Sequence, residues 1–236
     1  MTVTWVIEMD DQPVERVRAD LLVAPFFAGE RPLRGAAGRL DWRLCGHLSE
    51  MLKRNAFEGA PGDLILVPTG ASARAPRALL VGLGERSAFS PRQLRPALAA
   101  AFHKARALRA GIVAVALPSE SISGVPAERA ATAAVIGAGE ALQEQAFTVR
   151  LRLIVEPSGL SAARQAMSQL VPRIQLEGVL ARFSAAEAPP TPGSPGGDGG
   201  LGHGLPLTPG GQSGTRQGTP VGAGSGALQA KPPSAP

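Results

Sequence analysis

Apolar and polar positions alternate along this chain in two different rhythms. Thr2 to Met9 has period two, with Trp5 and Ile7 on one side of a pleat and Val6 on the other, which predicts a strand. Ala19 to Phe26 is a continuous apolar run, the pattern of a strand covered on both faces. From Arg39 the rhythm changes. Leu40, Leu44, Leu48 and Leu52 fall four apart and predict one helix, ended by Gly59, Pro61 and Gly62. Strands are predicted at Asp63 to Pro68 and Arg77 to Gly82. A helix capped by Ser90, with Pro91 in its first turn, carries Leu94, Leu98, Ala101, Phe102, Ala105 and Leu108 on one face, with Pro96 kinking it or delaying its start. A buried strand at Gly111 to Leu117, an alanine-rich helix from Pro126 to about Gln145 and a strand at Thr148 to Val155 follow. The order closes with a helix from Ser158 to about Val171 and a short one from Pro172 to near Phe183.

Strands interleaved with helices, several of them apolar throughout, imply an α/β protein: a three-layer α/β/α domain around a mixed, largely parallel sheet. Composition then sets its extent. From Ser184 to Pro236 the chain holds 14 of its 29 glycines and 10 of its 22 prolines, and no aromatic residue. Such a segment cannot bury enough apolar surface to offset its ordering entropy. The expected organisation is a domain over 1–183 and a disordered Gly/Pro-rich tail over 184–236.

Charge and cysteine usage remove some functions. The formal charge of +5 falls entirely on the domain, because Glu187 and Asp198 of the tail balance Arg216 and Lys231. No run approaches the roughly 18 apolar residues of a membrane span, and Glu8, Asp10 and Asp11 occupy an N-terminus where a signal peptide needs a basic flank. Cys45 is the only cysteine, so neither a disulfide framework nor a cysteine-based zinc site can form. A cytoplasmic setting without cofactor is expected. His47, His103 and His203 lack helical zinc spacing, and Cys45, beside Leu44, is expected to pack in mid-helix.

Two features invite chemistry. Gly82-Leu83-Gly84 stands between a strand and a helix, where phosphate loops occur, yet position 87 is Ser and no P-loop lysine follows, so a tight turn is the stronger reading. Between Arg74 and Arg109 eight basic residues oppose Glu85 alone, and Arg92, Arg95, His103 and Arg106 share the polar face of their helix. That face suits solvent, and also phosphate. Gly82, Gly84, Arg92, Arg95 and Arg106 are therefore the candidate anion-binding residues. Gly137 and Gly139 read as sites of close packing on the sheet.

The order of segments adds a resemblance. ADLLVAPFF, then Gly38-Arg39-Leu40-Asp41, Cys45-Gly46-His47-Leu48, GDLILVPT, RALLVGLG, SPRQLRPAL, GIVAVALP and Gly139-Glu140-Ala141-Leu142 together resemble the N-terminal domain of the leucyl aminopeptidase (M17 cytosol aminopeptidase) family, over about Val17 to Val155. The resemblance implies a macro-domain-like fold. It also implies that the two-metal chemistry belongs to a separate C-terminal domain, whose carboxylates and lysine have no counterpart after Phe183. No metal ligand or catalytic residue is carried over. The implied role is a non-catalytic, stand-alone module for binding, assembly or regulation, its partner being a second copy or a full-length aminopeptidase-like protein. Phe27, Pro32, Leu33 and Phe147, which fit no helix or strand stripe, are the expected interaction surface. The alternatives are a macro-like nucleotide or small-molecule site at Gly35 to Gly38 and Gly82 to Gly84, weak nucleic-acid binding through Arg74 to Arg109, or the non-catalytic part of a split aminopeptidase.

Overall fold

A computed structural model of the chain describes residues 3–142, 149–176 and 179–185, all within the first of the two units into which the chain divides, Met1–Pro189. Among the described residues seven strands form one sheet: β1 (Val3–Asp10), β2 (Leu21–Phe26), β3 (Leu64–Pro68), β4 (Arg77–Gly82), β5 (Ile112–Ala116), β6 (Val149–Ile154) and β7 (Val179–Ala185). Their order is β3-β4-β2-β5-β6-β1-β7. Only β3 runs antiparallel to its neighbour; the other pairings are parallel. The mixed, largely parallel sheet is thus the expected one.

Among the described residues six α-helices flank it: α1 (Gly35–Arg43), α2 (His47–Lys53), α3 (Pro91–Ala107), α4 (Glu120–Ser123), α5 (Ala127–Leu142) and α6 (Leu160–Leu176). The pleat of β2 explains the layers. Leu21 and Val23 join a core with Leu94, Phe102 and Val135 from α3 and α5, whereas Leu22 and Ala24 join Leu40, Leu48 and Leu52 from α1 and α2. Because both faces are covered, every residue of β2 is buried, which is why its sequence reads as an unbroken apolar run. Gly137 lets α5 approach α3: a Cβ there would lie 2.5 Å from the Arg95 carbonyl oxygen, while one at Gly139 would meet the Trp5 ring at 3.3 Å. The two glycines therefore serve packing, one against a helix and one against the sheet.

Three local expectations are corrected. The single helix over the leucine stripe is two helices, broken where Cys45 and Gly46 take φ values of 55° and 81°. Leu40, Leu48 and Leu52 still reach the core, but Cys45 is exposed at the break and not packed in mid-helix. Pro172 does not start a new helix, since α6 runs through it to Leu176, as α3 runs through Pro96. Each proline forgoes one backbone bond and lies on an exposed side of its helix. The segment ending near Phe183 is a strand, not a helix: β7 pairs in parallel with β1, from Val3 opposite Val179 to Met9 opposite Ala185. The expected boundary at 183 therefore falls inside β7, and residues 186–236, where the rest of the expected tail falls, lie outside the described residues.

Candidate binding cleft and exposed surface

The sheet topology dictates where a cleft can form. From β2 the chain leaves through α1 and α2 on one face towards β3 and β4; from β4 it returns through α3 on the other face to β5, on the opposite side of β2. The connections diverge at the carboxyl ends of β2 and β5, the switch point at which open α/β sheets leave a crevice. A cleft of about 330 Å³ lies there, lined by Pro25 near the end of β2 and Phe27 just after it, by Leu117 and Pro118 after β5, and by Arg34 and Gly35 at the start of α1.

Two of its charged groups, Glu30 and Arg39, are engaged with partners beside the cleft. The Glu30 carboxylate, 3% exposed, accepts from Arg86 Nη2 at 2.8 Å and from the Phe27 backbone N–H at 3.4 Å. Arg86 also lies over the Phe27 ring, 5.5 Å from its centroid, and Phe27 packs edge-on against Phe89. At the other rim Arg39 donates through Nη2 and Nε to both oxygens of Glu15, at 2.8 and 3.2 Å. Those bonds hold the Glu15 carboxyl below the usual carboxylate range against the opposing effect of its burial, and Glu15 in turn raises Arg39. Among the described residues, no three His, Cys, Asp or Glu side chains are grouped to hold a metal ion.

Gly82-Leu83-Gly84 form a tight turn, the stronger of the two readings. Gly82 N–H donates to the Asp63 carbonyl and Gly84 N–H to that of Gly59, both at 2.9 Å. A Cβ at Gly82 would stand 2.1 Å from the Ala60 carbonyl oxygen, and one at Gly84 would stand 2.8 Å from Pro61. The glycines admit the 59–61 segment, leaving neither amide nor room for an anion. Gly35 to Gly38 form the first turn of α1. Of the arginines, Arg92 is exposed, Arg95 pairs with Glu140, and Arg106 is half-buried. Arg86, in the same basic segment, pairs with Glu30, which lines the cleft.

The expected interaction surface is also rearranged. Phe27 and Leu33 are 2% and 7% exposed, so they anchor the loop from 27 to 34 rather than face solvent. Leu33 can fold over α1 because residue 38 is glycine: a Cβ there would lie 2.3 Å from the Leu33 carbonyl oxygen. Pro32 is exposed, and Phe147 lies outside the described residues. Among the described residues the large apolar side chains that are exposed are Trp42, 78% accessible, and Leu66, 38%; Trp42 lies beside a shallow groove shared with Pro32, Asp41 and Cys45. A sequence signal for it existed: two residues beyond Leu40, at 100° per residue, Trp42 points away from the leucine stripe.

Known proteins resemble this chain over the same region. Residues 23–145 match the description "Cytosol aminopeptidase family, N-terminal domain". A probable cytosol aminopeptidase of Thermosynechococcus vestitus is 34% identical over 119 residues, 50% of this chain and 24% of that protein. One of Alkaliphilus metalliredigens is 28% identical over 105 residues, 44% of this chain and 21% of that protein. The matches thus span about a quarter or less of those relatives' own length. Among solved structures, a tomato leucine aminopeptidase variant superposes with TM-score 0.54 at 22% identity, over 70% of this chain and 36% of that one. The macro domain of ganglioside induced differentiation associated protein 2 superposes with TM-score 0.56 at 13% identity, over 70% and 82%. These superpositions establish a macro-domain-like fold.

Proposed function

The chain belongs to the cytosol aminopeptidase family through that family's N-terminal domain, and from this premise we propose that it acts as a non-catalytic binding or assembly module whose contact surface centres on Trp42. The exposure of Trp42, 78%, carries the reading. A tryptophan left in water forfeits a large burial free energy, which a partner can recover, and Trp is enriched at the energetic centres of interfaces. Pro32 and the neighbouring groove supply a rigid apolar border. The partner is a second copy or a full-length aminopeptidase-like protein, and the naming of the relatives as cytosol enzymes supports a cytoplasmic setting.

Light scattering with tryptophan emission tests this reading. Trp5 is 1% exposed and Trp42 is 78% exposed, so a blue shift on association reports Trp42. The wild type should exceed its monomer mass of 24.2 kDa, or gain mass on mixing with a full-length aminopeptidase. Trp42→Asp should abolish either effect with an unchanged circular dichroism spectrum. A wild type that stays monomeric alone and in the mixture, with unshifted emission, overturns the reading.

A second reading rests on the cleft at the switch point. The fold neighbours include an Oceanobacillus iheyensis macrodomain solved with ADP, TM-score 0.54 at 13% identity. In this chain the groups available to a phosphate are the first amides of α1 and Arg34, not Gly82 and Gly84. Calorimetric titration with ADP, in the wild type and in Arg34→Glu, decides: heat in the first and none in the second supports a nucleotide site.

A further inference from the structure

The charge of this chain is concentrated in one layer. Helices α3, α5 and α6, which cover one face of the sheet, carry seven arginine and lysine residues against Glu128 and Glu140, an excess equal to the +5 of the whole chain. Within the basic layer a shallow groove of about 340 Å³ lies where the first turns of α3 meet the first half of α5. Ala133, Ile136 and Ala166 line it with apolar surface, Arg92, Arg95 and Arg129 border it, and Glu128 is the one acidic residue of its lining. Among the described residues Arg95 is paired with Glu140, whereas Arg92 and Arg129 have no ion-pair partner.

We infer that this groove receives an acidic amphipathic helix of a partner protein. Cations beside an apolar floor call for an occupant that brings carboxylates and apolar side chains together, as the two faces of such a helix do. From Arg129 to Ile136 the groove follows α5 for about 10 Å at ~1.5 Å per residue, the length of two turns of a guest helix. A nucleic-acid backbone would satisfy the arginines but leave Ile136 and Ala166 uncovered, and the border has no aromatic ring on which a base could stack. The groove and Trp42 lie in layers on opposite faces of the sheet, so the two surfaces can be tested separately.

Fluorescence anisotropy of the full chain provides the test. The probes are a labelled three-turn helical peptide with a leucine stripe flanked by glutamates, the same peptide with lysines for glutamates, and a labelled single-stranded DNA. The glutamate peptide should bind and the lysine peptide should not. Arg92→Glu with Arg129→Glu, both at exposed positions, should weaken binding roughly tenfold or more. Ile136→Ser should weaken it as well, with circular dichroism as the folding control, and Trp42→Asp should leave it unchanged. Equal binding of the two peptides, no binding of the glutamate peptide, or insensitivity to the arginine pair overturns the inference. Binding of DNA alone, lost in the arginine variant, would replace it with a nucleic-acid surface.

Discussion

Asp41, in the last turn of α1, accepts two hydrogen bonds from Ser49 in the first turn of α2: the backbone N–H reaches Oδ1 at 3.0 Å and the hydroxyl reaches Oδ2 at 2.5 Å. Gly46, which precedes α2, has no side chain with which to cap it, so a carboxylate from the previous helix takes that part. The Asp41 carbonyl meanwhile accepts from the Gly46 N–H at 2.8 Å. One residue thus closes the turn that breaks the leucine stripe. Asp41→Ala should cost about 1–2 kcal/mol, a fall of roughly 2–8 °C in Tm for a domain of this size. Thermal denaturation followed by circular dichroism checks it, and a fall equal to that of a neutral surface substitution would remove Asp41 from this role.

The sequence carried the layers but not the loops, for physical reasons visible at particular residues. The strand at 19–26 was legible because a chain covered on both faces has no polar positions to spare, and Leu40, Leu48 and Leu52 were legible because they face the core. Gly82 and Gly84 were ambiguous, since a phosphate loop and a tight turn make the same local demand for glycine. The Gly59–Pro61 segment decides between them, and its approach is a tertiary fact. Phe27 and Leu33 were misplaced for a related reason: loop residues that fold back leave no periodic trace. β7 was misread because Pro172 suggested a new helix. The alternation of Val179, Ala181 and Phe183 with Leu180, Arg182 and Ser184 was the signal to weigh instead.

The two glycines of α5 make a paired prediction. A methyl at position 137 would have to displace the α3 backbone, whose Arg95 oxygen lies 2.5 Å from the added carbon, whereas one at 139 meets only the Trp5 ring at 3.3 Å. Gly137→Ala should therefore destabilise by about 1–3 kcal/mol through overpacking. Gly139→Ala should be near neutral, because the gain in helix propensity, about 1 kcal/mol, offsets a small shift of the ring. Urea titration of both variants separates them; equal midpoints would contradict the helix contact.

The Glu15–Arg39 pair predicts a pH dependence with a definite sign. Its hydrogen bonds lower the Glu15 pKa in the folded state. A lowered carboxyl contributes stability above its unfolded value, about 4.3, and loses it as pH falls through the folded value. Arg39 is 54% exposed, so the contribution at neutral pH is below about 1 kcal/mol. Between neutral pH and pH ~3, the wild type should lose slightly more Tm than Glu15→Gln, and the two curves should converge at the acid end. Parallel curves throughout would show that the pair adds nothing.

The last prediction concerns the edge of the sheet. β1 is flanked by β6 on one side and β7 on the other, and β7 pairs with it along seven residues, Val3 to Met9 opposite Val179 to Ala185. Removing β7 would leave β1, which carries the buried Trp5, Ile7 and Met9, with a row of unpaired backbone donors and acceptors. An exposed, regular, apolar edge is a template for pairing with other chains. A chain ending at Leu176 should therefore melt several degrees below the full chain, at roughly 2–4 °C per kcal/mol, and should aggregate on heating. A chain ending at Pro189 keeps β7 and should melt within a degree or so of the full chain. The comparison separates the strand from everything that follows it. Equal melting of both truncations would show that β1 does not depend on β7, and a loss in both would assign the stability to residues beyond Pro189.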